Sequence, residues 1–270
     1  MNVEVTTVSK KPQQLSQAQA AIYVLSGEEL RRMGITNIPD ALRLVPGIQV
    51  ASIDSNKWAV TVRGFNDRFA NKLLVLIDGR SVYTPLFAGV YWEAQMVPLA
   101  DIDRIEIIRG PGGTLWGANA VNGVINIMTK RSDETQGALA SVVIGNEERG
   151  FGTLRYGGKI GDDFSYRVYG QFRSRDTGFQ QMGAHDDWQL GQGGIRTDWD
   201  LNSKDSLTIQ GDYYRGDAGQ QITTPVSPDA GPMAPAAVTT FDEDVKLRGG
   251  NALVRWRRTI SNSSPISAPR

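Results

Sequence analysis

The chain has 270 residues, 40% of them apolar, and its 29 Lys and Arg balance 29 Asp and Glu. That leaves room for one large or two modest domains with a packed core, and the zero net charge supplies no field toward nucleic acid, so no nucleic-acid partner is expected. The lack of cysteine excludes disulfides, thiolate catalysis and cysteine metal sites, and the single histidine, His185, cannot alone build a zinc site or a Ser-His-Asp network.

Thirty glycines without a collagen period point to turns and sheet. Apolar runs such as Leu73–Ile77 are far short of the ~20 residues of a membrane-spanning helix. Met1-Asn2-Val3-Glu4 has neither the basic start nor the apolar stretch of a secretory signal, so any signal is expected to be missing from the chain.

In chain order, residues 1–20 read as an extended, mobile leader that buries little, with Lys10-Lys11-Pro12 at its centre. Ser26 followed by Glu29 is a capping-box pattern, and Gly34 stands where a helix-ending glycine belongs, predicting a helix over Gly27 to Met33. A second helix is predicted from a cap at Asn37, with Pro39 in its first turn and Ile38, Ala41, Leu42 and Val45 on one face until Pro46-Gly47. Strands are predicted at Ile48–Ile53, Trp58–Arg63, Leu73–Ile77, Arg104–Ile108 and Val124–Thr129, and Asp78-Gly79 is a type I′ hairpin signal. Residues 21–131 thus form an α+β unit.

From residue 132 the pattern turns to longer alternating segments. In Thr153–Ile160, Phe164–Arg173 and Leu207–Tyr214 an apolar set, for example Leu154, Tyr156, Val168, Phe172, Ile209 and Tyr213, opposes a polar one, and Val254 and Trp256 oppose Arg255 and Arg257. Tight turns at Gly161-Asp162-Asp163 and Asn202-Ser203-Lys204 fall between longer connections expected at Ser174–Leu190 and Gly216–Lys246. Short turns, long loops and one apolar face suit an outer-membrane barrel, and they equally suit a soluble β-sandwich with one solvated face.

The glycine-rich run Arg109–Asn119 fails as a phosphate cradle, since Ala118-Asn119 stand where a P-loop needs Lys and Ser/Thr, and it reads as a structural turn. The pairs Asp101/Asp103 and Asp162/Asp163 flank strands and turns, where Asp is ordinarily a cap. His185 lies in a polar loop and reads as a solvated surface histidine. No catalytic, metal or cofactor site emerges, and the chain is expected not to be an enzyme.

Five motifs in fixed order carry a resemblance: Ile38-Pro39-Asp40-Ala41-Leu42-Arg43-Leu44-Val45-Pro46-Gly47-Ile48-Gln49-Val50, Val62-Arg63-Gly64-Phe65, Val75-Leu76-Ile77-Asp78-Gly79-Arg80, Asp103-Arg104-Ile105-Glu106-Ile107-Ile108-Arg109-Gly110-Pro111, and Trp116-Gly117-Ala118-Asn119 through Ile127. They resemble the plug of TonB-dependent outer-membrane transporters, and the β-rich remainder resembles the start of that family's barrel. The resemblance implies an α+β plug inside a 22-stranded transmembrane β-barrel that imports an iron–siderophore, cobalamin or similar bulky solute into the periplasm. It also implies a partner, TonB, that grips a short leader segment by strand addition. Glu4-Val5-Thr6-Thr7-Val8-Ser9 is similar to that segment, placing energy coupling on Val5, Thr6, Thr7, Val8 and Ser9. The family's latch to barrel glutamates falls on Arg63 and Arg109, and ligand contacts from the plug apex fall on Trp58, Phe65, Phe69 and Tyr83 to Phe87.

A 22-stranded barrel needs on the order of 450 residues after the plug, and the stretch from Gly137 holds about six strands. Six strands cannot close, and open edges in hydrocarbon are prohibitive. With the polar, proline-broken ending Ser261–Arg270, the chain is expected to be a fragment, and the alternative is a plug-like binding module or remnant without transport.

Overall fold

The computed structural model describes residues 4–7, 13–14, 16, 20–178, 183–226 and 237–260. Ser26 and Glu29 make both halves of the expected capping box at the start of α1 (Gly27–Arg32), and Gly34 follows with φ +64°. Asn37 accepts from the Asp40 amide to cap α2 (Ile38–Leu42), with Pro39 in the first turn. Pro39, Ala41 and Leu42 are buried, so this helix is held by packing rather than by length.

Around these helices lie short strands: β1 (Glu4–Val5), β2 (Gln13–Gln14), β3 (Ile22–Ser26), β4 (Ile48–Ser52), β5 (Trp58–Val62), β6 (Leu73–Ile77), β7 (Arg80–Ser81), β8 (Ile102–Ile108) and β9 (Gly123–Thr129). One sheet has the order β3-β8-β9-β6-β7, with only β6 and β9 parallel; β4 pairs with β5, and β1 with β2. Asp78 and Gly79 both adopt positive φ, +50° and +83°, as the predicted hairpin between β6 and β7 requires. Gly27 is needed where α1 crosses β8, because a Cβ there would stand 2.0 Å from the Ile102 carbonyl oxygen. The glycine-rich turn contains one helical turn, α3 (Gly113–Trp116).

The remaining strands, β10 (Gly137–Val143), β11 (Gly150–Ile160), β12 (Phe164–Arg175), β13 (Trp188–Asp200), β14 (Asp205–Val226) and β15 (Ala237–Arg258), form one antiparallel meander in sequence order. Its polar side chains point inward: Thr153, Ser165, Arg167, Gln171, Arg173, Arg196 and Asp198 are buried, while Leu154, Tyr156, Phe172, Ile195, Tyr213, Val254 and Trp256 are exposed. A soluble sandwich buries its apolar face, so this inversion rejects that alternative and matches the wall of a membrane barrel. No helix among the described residues is long and apolar enough to cross a membrane.

Three expectations are corrected. The connection expected at Gly216–Lys246 is mostly strand, since β14 and β15 each run for 22 residues. Their outer parts are held by polar cross-strand pairs such as Thr223 with Thr240 and Gln220 with Glu243, which leave no apolar alternation to read. The leader does not simply project, because Val5 and Thr7 are buried against the α+β unit. Asp101 is a buried ion-pair partner rather than a turn cap. Lys10–Pro12 and Ser261–Arg270 lie outside the described residues.

One core joins the two parts. Leu25, Leu42, Val60, Ile105 and Ile127 belong to the same apolar cluster as Phe151, Trp188, Leu190 and Ala218 of the meander. Trp58 meets Trp188 edge-on across the junction, with ring centroids 5.8 Å apart.

Candidate functional site

The strongest convergence of polar groups on the leader is at Glu106. This residue sits in the middle of β8, paired with Asn126 of β9, and is fully buried. Its carboxylate accepts from the Thr6 amide at 2.9 Å, the Thr7 amide at 2.7 Å and the Thr7 hydroxyl at 2.5 Å. Asn126 donates to the Thr7 hydroxyl at 3.0 Å, and the Trp116 indole donates to the Thr7 carbonyl at 2.8 Å. Arg104 donates to Glu106 at 2.8 Å; burial works against its charge, but Glu106 and Asp103 outweigh that and hold the guanidinium pKa above its ordinary value. Val8 and Ser9 lie outside the described residues.

A second seam joins the α+β unit to the meander through buried charge. Asp101 accepts from Arg155 at 2.6 Å and faces the Arg167 guanidinium at 3.4 Å. Asp78 accepts from the Thr129 amide at 2.8 Å and from Gln210 at 3.1 Å, lies 3.7 Å from Arg196, and offers its carbonyl to Arg255. The backbone amide and hydroxyl of Ser132 both donate to Asp198 of the wall. Beside this seam a cavity of about 370 Å³ is lined by Asp78, Arg80, Tyr83, Tyr169, Arg196 and Tyr214, among others.

Arg63 and Arg109 lie together away from the seam. Arg63 donates to the Arg109 carbonyl at 3.4 Å, and Arg109 donates to the Pro46 carbonyl at 2.9 Å; among the described residues neither forms an ion pair. Arg63, Gly64 and Phe65 are consecutive in the left-handed region, and Lys72 and Ala88 share it. Backbone strain of this kind collects at ligand clamps and switches. Phe65 is 97% exposed. Phe69, Phe87 and Tyr91 stack edge-on in series, centroids 5.1 and 5.0 Å apart, with the Arg68 guanidinium over Phe69 and Tyr91. Arg68 pairs with Glu93 at 3.2 Å, and burial pushes the Glu93 carboxyl pKa up. Tyr83 is exposed beside these rings in sequence, whereas Trp58 is buried in the core.

The structure thus brings Thr6 and Thr7 onto Glu106, sets Arg63 beside Arg109, and separates Trp58 from the exposed loop aromatics. Sequence reasoning missed Glu106, Asn126 and the plug aspartates. A charged residue between Ile105 and Ile107 of an otherwise apolar strand was the available signal for Glu106. No cluster of His, Asp or Glu that could hold a metal occurs among the described residues. His185 hydrogen-bonds Asp244 at 2.8 Å, which raises its pKa.

An α+β unit seated on the polar face of an outwardly apolar antiparallel wall defines a plugged membrane barrel protein. Residues 14–124 match the model of the TonB-dependent Receptor Plug Domain family. The vitamin B12 transporter BtuB of Vibrio vulnificus is 33% identical over 156 residues, 56% of this chain and 25% of that protein. An iron-regulated outer membrane virulence protein of Vibrio cholerae is 33% identical over 183 residues, 64% of this chain and 28% of that protein. Among solved structures, Pseudomonas aeruginosa FpvA bound to a ferric pyoverdine superposes with a TM-score of 0.68 at 18% identity, covering 96% of this chain and 34% of FpvA. Residues 14–124 are thus a plug domain of the TonB-dependent receptor kind, the antiparallel sheet that follows resembles part of such a receptor's barrel, and the chain spans about a quarter of the length of these curated relatives.

Proposed function

We propose that the chain belongs to an outer-membrane receptor that takes up a bulky scarce solute, an iron–siderophore or cobalamin, by energy drawn from TonB and without chemical change to the solute. In this reading residues 1–20 are the coupling leader, 21–131 the plug and 132–270 the beginning of the barrel. TonB pairs with Val5 to Ser9 by strand addition. Arg63 and Arg109 latch the plug to carboxylates of the barrel. Phe65, Phe69, Tyr83 and Phe87 contact the solute from the plug, with Trp58 supporting them from the core.

The observation that carries the reading is the inside-out wall: Arg167, Arg196 and Asp198 face the plug while Leu154, Val254 and Trp256 face outward. Such a wall sits in lipid and its lumen is stoppered, so passage requires the plug to be moved. The relatives named above, a vitamin B12 transporter and an iron-regulated outer membrane protein, support the solute class.

In a complete receptor carrying this leader and plug, Val5→Pro removes a ladder amide and should abolish energised uptake while surface binding of radiolabelled cobalamin or ferric siderophore is kept. Normal uptake by that variant would reject the coupling assignment, and loss of binding as well as uptake would show that the substitution acts on the plug instead.

A further inference from the structure

Beyond the apolar part of the wall, β14 and β15 carry a basic cluster on their outward face. Alternation puts Arg215 and Asp217 on the face of exposed Tyr213, while Tyr214 and Leu247, on the other face, pack against the core. Arg248 stands directly opposite Arg215 in the ladder, and Lys246 opposite Asp217. Among the described residues Arg215, Lys246 and Arg248 form no ion pair. On the β13 side their neighbours in register are Gly191 and Gln189, which bring no charge, and Asp244, farther out on the same face, is engaged by His185 at 2.8 Å. Tyr213, Arg215, Asp217, Lys246 and Arg248 line an outward cavity of about 370 Å³. Like charges directly opposite each other destabilise a ladder. Two arginines and a lysine facing one aspartate therefore call for an anion from outside the sheet.

We infer that Arg215, Lys246 and Arg248 bind the phosphorylated headgroup of an outer-leaflet lipid, one of the lipid A type with two phosphates on a sugar core; this rests on the reading of β10–β15 as a lipid-facing wall. The position of the cluster supports it. Asp205, at the tight turn, and Arg215 are ten residues apart on β14. At ~3.4 Å per residue and a tilt of roughly 35–45°, that climb is about 25 Å, the height of a barrel's apolar band. The cluster therefore stands at the membrane surface on the side of the long connections, which in such barrels is extracellular. Directly below it, exposed Ile209, Tyr213 and Val254 offer apolar surface to acyl chains, which a free phosphate ion has no use for. Each guanidinium can grip phosphate oxygens with two parallel hydrogen bonds, and the Lys246 ammonium adds a point charge. A zwitterionic lipid answers poorly, because its single phosphate is offset by its own amine.

The test uses the full 270-residue chain in detergent micelles doped with diphosphoryl lipid A, with bound lipid counted by native mass spectrometry as its concentration rises. Arg215→Gln/Arg248→Gln should weaken lipid A binding by about 25-fold, at about fivefold per cation, and adding Lys246→Gln should bring the loss to about a hundredfold. Arg257→Gln, at the far end of β15, should bind as the parent does, and Arg215→Lys/Arg248→Lys should keep most of the affinity through charge alone. Without lipid, the double glutamine variant should unfold in urea no earlier than the parent, because two opposed like charges have gone. An earlier midpoint would assign the arginines to holding the hairpin and overturn the site. Binding by the triple variant within about twofold of the parent would overturn it too. So would displacement of lipid A by inorganic pyrophosphate at equal concentration, which would make a free anion the ligand. In the same micelles a phosphatidylcholine brominated on its chains should quench the emission that Trp199→Phe/Trp256→Phe removes, since both indoles are exposed on the outer face. No quenching would reject the lipid-facing wall, whereas quenching without lipid A binding would keep the wall and reject the headgroup site.

Discussion

Removing the Asp101 carboxylate should unseat the plug from its wall. The side chain is 1% exposed and is shared by Arg155, 9% exposed at 2.6 Å, and Arg167, 4% exposed at 3.4 Å. Asp101→Ala leaves two buried guanidiniums without their counterion, and breaking a buried pair by deleting one partner costs about 3–5 kcal/mol. Arg167 keeps the Lys130 carbonyl at 3.1 Å and the Thr129 hydroxyl at 3.4 Å, so the loss falls mainly on Arg155 and belongs near the lower end, about 3 kcal/mol. That corresponds to about two orders of magnitude in the docking equilibrium. The fluorescence of the Trp58–Trp188 pair, which spans the junction, reports separation in a urea titration of the chain in micelles. Asp101→Ala/Arg155→Met should recover most of the loss, because it removes the stranded charge and restores apolar packing. A single variant costing under about 1 kcal/mol, or a double variant no better than the single, would refute the claim that these charges hold the plug to the wall.

Three further variants test the local structure. Ser26→Ala should cost about 1 kcal/mol by removing the α1 cap. It should also reduce acid sensitivity in part: the Ser26 backbone bond, which alanine keeps, then its side-chain bond, which alanine loses, hold the Glu29 carboxyl below its ordinary value, and that contribution is present above the unfolded pKa and lost as pH falls through the folded one. Urea midpoints across an acid pH series check both parts. Gly27→Ala should destabilise by about 3 kcal/mol, the upper end for overpacking, since its Cβ would meet the Ile102 carbonyl at 2.0 Å; Gly34→Ala, at φ +64° with open space around it, should cost only about 1 kcal/mol in the same titration.

What could be read from the sequence was local chemistry with one conformational answer. Asp78-Gly79 demands a hairpin, Ser26 with Glu29 demands a helix start, and both occur as expected. The docking of the leader was illegible because Thr6 and Glu106 are 100 residues apart and no periodicity links them. The outer halves of β14 and β15 were hidden for a different reason: their few apolar residues, among them Ile222, Val238 and Phe241, are scattered among polar ones without alternation, so a hairpin held by its backbone ladder looks like a loop. Asp101 was misread because an aspartate before a strand is ordinarily a cap, and only the meander places arginines against it.

The charges the plug presents, and what answers them, bear on the proposed latch. Toward the described wall the plug turns Asp78 and Asp101, answered by Arg155, Arg167, Arg196 and Arg255, and also Arg131, answered by Asp200. Another corner gathers Arg63 and Arg109, which among the described residues bond only to backbone carbonyls, with the Arg109 Nε buried and without a hydrogen-bond partner among them. Carbonyl dipoles do not cancel two neighbouring like charges, and their repulsion grows as solvent is excluded. Under the proposed latch, a wall closing over this corner would bring carboxylates to these two guanidiniums, as wall Asp200 already does for Arg131.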